Sequence, residues 1–410
     1  MIHDNADAIR TSVTDHSFLP SLTSMRAAAA VAVAIHHTRT AWAHFPLVDF
    51  FCQVGWLGVS YFFILSGFVL MRQFDRAASY RTFISKRLAR IYPLHLLTLV
   101  ASLLAFAIIG SPLAGYVGTP LGTVANFLLI HGWIPGHPDI RQAWNGVSWT
   151  LSCEFFFYLL APALFLALDR RRYDVSLMWL FASLFILAFG LSLIGSIRGW
   201  NWFLDVLIYH PAPRMFEFAL GAYGALLLKK GWTFHSQTMS LVLMTMPVLV
   251  YCALFPESTG QRYGAVMNYL FMPGAFLFIM SMAYNDTNNI RSWTSNRFFV
   301  QLGNESFSLY MTHALFLWVF TNLRHRVFPS TEQSAFRGEI CTFVYIVLCL
   351  ILAHFCYKIF EKPAQKWLLA RMSRNVRRRF SWPPKPGAVG REAVTTHALG
   401  TDTRAAQPEA

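Results

Sequence analysis

Ten predominantly apolar stretches, each about the length of a helical membrane crossing, follow one another along this chain. No other feature limits its fold so strongly, because a backbone inside a bilayer has to satisfy its own hydrogen bonds. The stretches run over roughly 22–43, 53–73, 88–110, 147–168, 175–197, 212–228, 237–255, 264–284, 302–321 and 339–360. Only 13% of residues are charged against 55% apolar, and the mean hydropathy is +0.42, outside the soluble range. The expected fold is therefore an all-α integral membrane protein, a bundle of about ten transmembrane helices. A shorter apolar piece, "LGTVANFLLIH" (121–131), is too short to cross and is expected to lie at the interface or re-enter.

The charge distribution sets the orientation. With the amino terminus inside, the cytoplasmic segments carry 24 Lys and Arg and the outer ones eight: Arg39, Arg141, Arg198, Arg214, Arg262, Arg324, Arg326 and Arg337. This bias places both termini in the cytoplasm. It also accounts for the net charge of +14 without nucleic acid, since the basic residues sit in separate short loops. Three regions follow: a polar cytoplasmic segment over 1–20, a membrane domain over 21–367, and a tail over 368–410. The first segment lacks the pattern of a cleaved signal, so the first span is expected to remain in the mature protein. The tail is basic and then Pro- and Ala-rich; its first cluster is suited to anionic lipid and the remainder is expected to be disordered.

Six cysteines in or beside apolar segments show neither zinc-type spacing nor a disulfide framework and read as packing residues. No metal is expected: His36 and His37 are adjacent, and on a helix their side chains point about 100° apart. No internal repeat is visible, which counts mildly against inverted-repeat transporter folds.

Ionisable residues inside spans are costly and mark functional candidates. In the first span Arg26 and His37 lie about 20° apart around the helix axis and about 16 Å apart along it. His37, Glu154 and His313 each fall about 9 to 12 Å below the outer boundary of their spans, and Glu217 is nearly level with them. Each alone is compatible with a buried polar group paired for packing; the shared depth favours a site for His37 and Glu154. At the start of the third span, Arg87 and Arg90 share a helical face and can grip phosphates with planar forks, or simply anchor the helix. Small residues in "GWLGVSYFFILSGFVL" (55–70) suit close helix approach.

These residues fall in an ordered set of blocks. They are the Arg, ten residues, His arrangement of Arg26 and His37; "GWLGVSYFFILSGFVL"; the Arg-x-x-Arg of Arg87 and Arg90 after "FISK"; "SWTLSCEFFFYLLAP" around Glu154; "RMFEFALGAYGALL" around Glu217; "LGNESFSLYMTHALF" around His313; and "EKPAQKW" after the last span. Over roughly residues 18–367 the chain resembles acyltransferase family 3, integral membrane enzymes, mostly bacterial, that move acyl groups, commonly acetyl, from acyl-coenzyme A to sugars or lipids of the cell surface. Two departures stand out: "SLTSMR" where the family usually has an Asp-Gly-like pair before the Arg, and Ser60 where it often has Asp.

The resemblance implies an O-acyltransferase of the bacterial inner membrane, with acyl-coenzyme A entering from the cytoplasm and no permanently bound cofactor. Arg87, Arg90 and Arg26 would hold the donor's phosphates. His37 would act as base or as a transient acyl carrier, with Glu154 supporting its imidazolium; His313 and Glu217 are further candidates. The acceptor would be a saccharide, a lipid-linked oligosaccharide or a related hydroxyl compound. Some relatives carry a fused extracytoplasmic esterase-like domain. Nothing after residue 367 is long or apolar enough to fold into one, so an outside transfer partner is expected to be a separate chain. The rival functions are a transporter or flippase for a sugar-lipid, with the same charges lining a pathway, and an envelope glycosyl ligase, which would need more outer-loop arginines.

Overall fold

The computed structural model describes residues 18–110, 118–170, 175–254, 261–327 and 335–380. The expectations for most of the N-terminal segment and for the tail from 381 lie outside these residues. Among the described residues there are helices and turns but no strand.

In chain order the helices of eight residues or more are α1 (Pro20–Thr38), α2 (Pro46–Val54), α3 (Gly58–Arg72), α4 (Tyr80–Ile109), α5 (Pro120–Phe127), α6 (Trp149–Arg170) and α7 (Val175–Arg198). They continue with α8 (Asn201–Tyr209), α9 (Pro211–Lys229), α10 (Gln237–Leu254), α11 (Gln261–Thr287), α12 (Arg297–Val327), α13 (Ala335–Cys356) and α14 (Lys362–Phe380). A π-helical turn, Tyr357–Glu361, joins the last two. The basic start of the tail is thus helical through Phe380. The 121–131 piece forms the short α5 and a single 3-10 turn, as its length requires.

Seven stretches are long and apolar enough to cross a membrane: Val48–Arg72, Tyr80–Ile109, Gly146–Arg170, Ser176–Arg198, Gln237–Leu254, Gly264–Thr287 and Ala335–Met372. The three other expected spans are helical too, as α1, α9 and α12, but fall short of that standard. Their polar content is the cause. They carry Arg26, His36 and His37; Arg214 and Glu217; and Gln301, Asn304, Glu305 and His313. These three helices also hold most of the candidate site residues.

Without water to expel, helices in lipid associate through close van der Waals packing, and glycine permits it. A Cβ on Gly67 of α3 would collide with the Phe218 carbonyl of α9, and one on Gly221 of α9 with the Ile64 carbonyl of α3. The small-residue block therefore serves a helix crossing. Likewise Gly303 of α12 lies against the Thr23 backbone of α1. Phe63, Phe157, Phe165 and Phe218 fill the space around the first crossing, with the Phe157 and Phe218 rings 5.2 Å apart. In contrast α7 is apolar all round and leaves Trp179, Ile186 and Ile197 exposed, the composition of a lipid-facing helix. All six cysteines are free, and Cys52, Cys153, Cys252 and Cys349 are buried in the packing.

Two ionisable residues of the 212–228 stretch pair with each other. Arg214, counted with the outer charges although it falls in the stretch 212–228, lies inside α9, 2% exposed, with its Nη1 donating to Glu217 Oε1 at 2.7 Å. Its Nη2 donates to Ser60 Oγ at 3.3 Å, and Ser60 donates to Asn268 Oδ1 at 2.6 Å. Glu217 is thus the counter-ion of a core network that ties α9 to α3 and α11. Ser60, one of the two departures from the family pattern, is a member of that network. A carboxylate there would give Arg214 a second negative partner.

Candidate active site

Arg26, Arg87, Arg90 and Glu154 line one cavity of about 160 Å³, together with Phe62, Ser66, Thr150, Tyr158, Phe307 and Tyr310. The side chains come from α1, α3, α4, α6 and α12. Arg87 and Arg90, one turn apart near the start of α4, reach the same space as their spacing predicts. Ser79 caps that helix by accepting from the Thr82 amide at 3.2 Å, so the turn carrying the pair is anchored at its beginning.

The three cations are held differently. Arg90 faces Glu361 Oε1 at 3.4 Å and donates to Gln365 Oε1 at 3.4 Å. Arg87 lies 5.6 Å from the centre of the Phe83 ring, and its Nε is buried with no hydrogen-bond partner. Arg26 has no hydrogen-bond partner among the described residues. A buried guanidinium N–H without an acceptor costs about 1–3 kcal/mol, more for a charged group. Such a cost is recovered when an anion enters, so the cavity suits an anionic group.

Glu154 is brought to the arginines rather than to the histidine. Its Oε2 accepts from Tyr158 Oη at 2.7 Å, one helical turn along α6. Level along the membrane normal, which prompted its pairing with His37, does not fix direction around a helix. The partner of the His37 ring is a backbone carbonyl. His37 Nδ1 lies 2.8 Å from the Val33 carbonyl, and a carbonyl can only accept. The hydrogen-bond network therefore assigns the proton to Nδ1 and leaves the Nε2 lone pair free.

The same logic applies to the neighbouring rings. His313 Nδ1 lies 2.7 Å from the Tyr310 carbonyl, and its Nε2 is buried without a partner. His36 Nδ1 lies 2.6 Å from the Cys52 carbonyl, which turns that ring toward α2 and its C-terminal turn. The His37 and His313 ring centres are 5.0 Å apart and inclined by 67°. Close contact of α1 with α12, permitted by Gly303, sets this pair. Tyr310 connects it to the cavity: it lines the cavity wall, and its ring centre is 5.7 Å from that of His313.

Sequence reasoning missed Tyr158, Tyr310 and Glu361. Tyr158 was findable, because a Tyr four residues after a buried Glu on one helix is placed to donate to it. Tyr310, three residues before His313, shares its helical face by the same rule. Glu361 lies in a block that was quoted only for its resemblance.

Residues 19–355 match a protein family described as an acyltransferase domain. The chain belongs to this acyltransferase family. Its similar proteins include the acyltransferase MdmB of Streptomyces mycarofaciens, 33% identical over 322 residues, which are 72% of this chain and 78% of that protein. The putative acetyltransferase ORF330 of Acidianus two-tailed virus is 26% identical over 303 residues, 72% of this chain and 82% of its own. The O-acetyltransferase OatA of Staphylococcus aureus (strain NCTC 8325 / PS 47) is 24% identical over 373 residues, 85% of this chain but 57% of its own length. No solved structure matches. The protein is a multi-pass membrane acyltransferase.

Proposed function

We propose that the protein moves an acyl group, acetyl in the simplest case, from acyl-coenzyme A to a hydroxyl of a cell-surface saccharide, glycolipid or related acceptor. The carrying observation is the convergence of Arg26, Arg87 and Arg90 on a cavity whose wall residue Tyr310 packs on His313, which in turn meets His37. In this reading ten helices cross the inner membrane of a bacterium, both termini are cytoplasmic, and the donor enters on the cytoplasmic side. The excess of Lys and Arg in the segments on that side supports the orientation.

The donor's phosphates bind the guanidinium forks of Arg87 and Arg90, and Arg26 supplies the third cation. The pantetheine arm then extends along α1 toward His37, about 16 Å from Arg26 along the helix axis. There the Nε2 lone pair of His37 takes the proton of the acceptor hydroxyl while its oxygen attacks the thioester carbonyl carbon. The tetrahedral intermediate collapses by breaking the C–S bond. The leaving thiolate recovers the proton from the imidazolium, giving an ester and free coenzyme A. The Val33 carbonyl keeps the proton of His37 on Nδ1 throughout and so presents the same nitrogen to each acceptor.

The test is incubation of membranes containing the protein with acyl-coenzyme A labelled in the acyl group. Release of free thiol matched by labelled ester on an acceptor is the expected result. Accumulation of solute across the membrane without thiol release would point to the transporter reading.

A further inference from the structure

We infer that Glu361 is a positioning residue for the donor site, holding Arg90 from behind so that its remaining N–H groups face the cavity. This rests on the donor-site reading above and adds a residue to it.

Pro363 has no N–H to give to the carbonyl of Ile359, four residues back, so the helix cannot pass this point unaltered. It widens instead into the π turn Tyr357–Glu361, in which the Lys362 N–H donates to the Tyr357 carbonyl, five residues back. One inserted residue turns the following helix by about 100° relative to an uninterrupted one. Ile359 within the turn is 72% exposed, whereas Glu361 is 2% exposed. A carboxylate at that depth needs partners: one oxygen has a hydrogen bond, and the other has an ion-pair contact without a hydrogen bond. Ser308 Oγ of α12 donates to its Oε2 at 2.6 Å, and its Oε1 faces Arg90 Nη1 at 3.4 Å. Gln365, one turn further along α14, accepts from the same Arg90 nitrogen.

The hydrogen bond to Gln365 and the ion-pair contact with Glu361 thus fall on one nitrogen of Arg90, and the neighbouring residues Ser306 and Phe307 of α12 line the cavity. A guanidinium tied at a single nitrogen keeps its other N–H groups for an incoming anion, and its side chain is already ordered before the ligand arrives. Arg87, in contrast, is left with an unpartnered Nε. The site therefore combines one pre-oriented cation with others whose hydrogen bonds await the ligand.

The test is a double-mutant cycle on the full-length protein in membranes, reading KM and kcat for acyl-coenzyme A. Glu361→Gln keeps the shape but exchanges a charge-assisted contact for a neutral one, and should raise KM about fivefold with kcat nearly unchanged. In an Arg90→Lys background the same change should have less than about half that effect. Ser308→Ala, which frees the other carboxylate oxygen, should shift KM in the same direction and guards against a folding defect in the first variant. Equal effects of Glu361→Gln with and without Arg90 would overturn the inference, as would a lowered KM, which would make Glu361 a competitor for Arg90. If Arg87→Lys and Arg90→Lys both leave donor affinity unchanged, the donor-site reading itself fails and the role of Glu361 falls with it.

Discussion

Replacing Arg87 with Lys keeps the positive charge in the cavity and removes only the planar fork. In the structure the buried Nε of Arg87 has no partner, so the donor-site reading assigns it a phosphate oxygen. Lys cannot present two parallel N–H groups to one phosphate and loses at least one charge-assisted hydrogen bond. That bond contributes about 1.5–3 kcal/mol, which corresponds to roughly a 10- to 150-fold loss of affinity. The assay is titration calorimetry of the purified protein with a non-transferable thioether analogue of acyl-coenzyme A. Arg76→Lys is the control, since Arg76 lies outside the cavity and pairs with Asp169. An affinity for Arg87→Lys within twofold of the parent would refute the reasoning, because the orphaned nitrogen would then have no part in holding the ligand.

Glu217→Gln leaves Arg214 buried without a counter-charge and should destabilise the protein by about 3–5 kcal/mol. Thermal unfolding in detergent should show a lowered midpoint, and the remaining folded fraction should keep its donor affinity. Gly67→Val places side-chain atoms where α3 touches the Phe218 carbonyl, so folded yield should fall sharply on size-exclusion chromatography. Reporter fusions should read cytoplasmic after residues 80, 170, 230 and 370 and external after 140, as the charge bias requires.

Hydrophobic runs were legible because length and polarity alone decide whether a helix suits a bilayer, and every expected span proved helical. The site was legible in part. The i, i+3 spacing of Arg87 and Arg90 describes a single helix, where geometry is fixed, and both line one cavity with Arg26, whereas His37 is not among the residues lining it. Glu154 lines the cavity with the arginines and accepts from Tyr158, and its relation to His37 depends on how α6 packs against α1, which no local pattern encodes. Arg214 falls in the expected span 212–228 but was counted only with the outer charges; its pairing with Glu217 three residues later was the overlooked signal. The turn at Glu361 was hidden for a different reason. Pro363 announces a disturbance in the helix, but whether the chain kinks, ends or widens depends on tertiary contacts such as Ser308.

The central claim, that His37 Nε2 takes the acceptor's proton, is tested most directly by measuring transfer of labelled acyl groups in membranes containing His37→Ala or His36→Ala. The two residues are neighbours, but the His36 ring is bonded to the Cys52 carbonyl while the His37 ring meets His313. With expression matched by immunoblot, His37→Ala should lose about 100-fold or more of the transfer rate. His36→Ala should retain most of it, and both should bind acyl-coenzyme A as the parent does. Full activity in His37→Ala would contradict the account, and equal loss in both variants would show that the first helix, not its histidine, had been damaged.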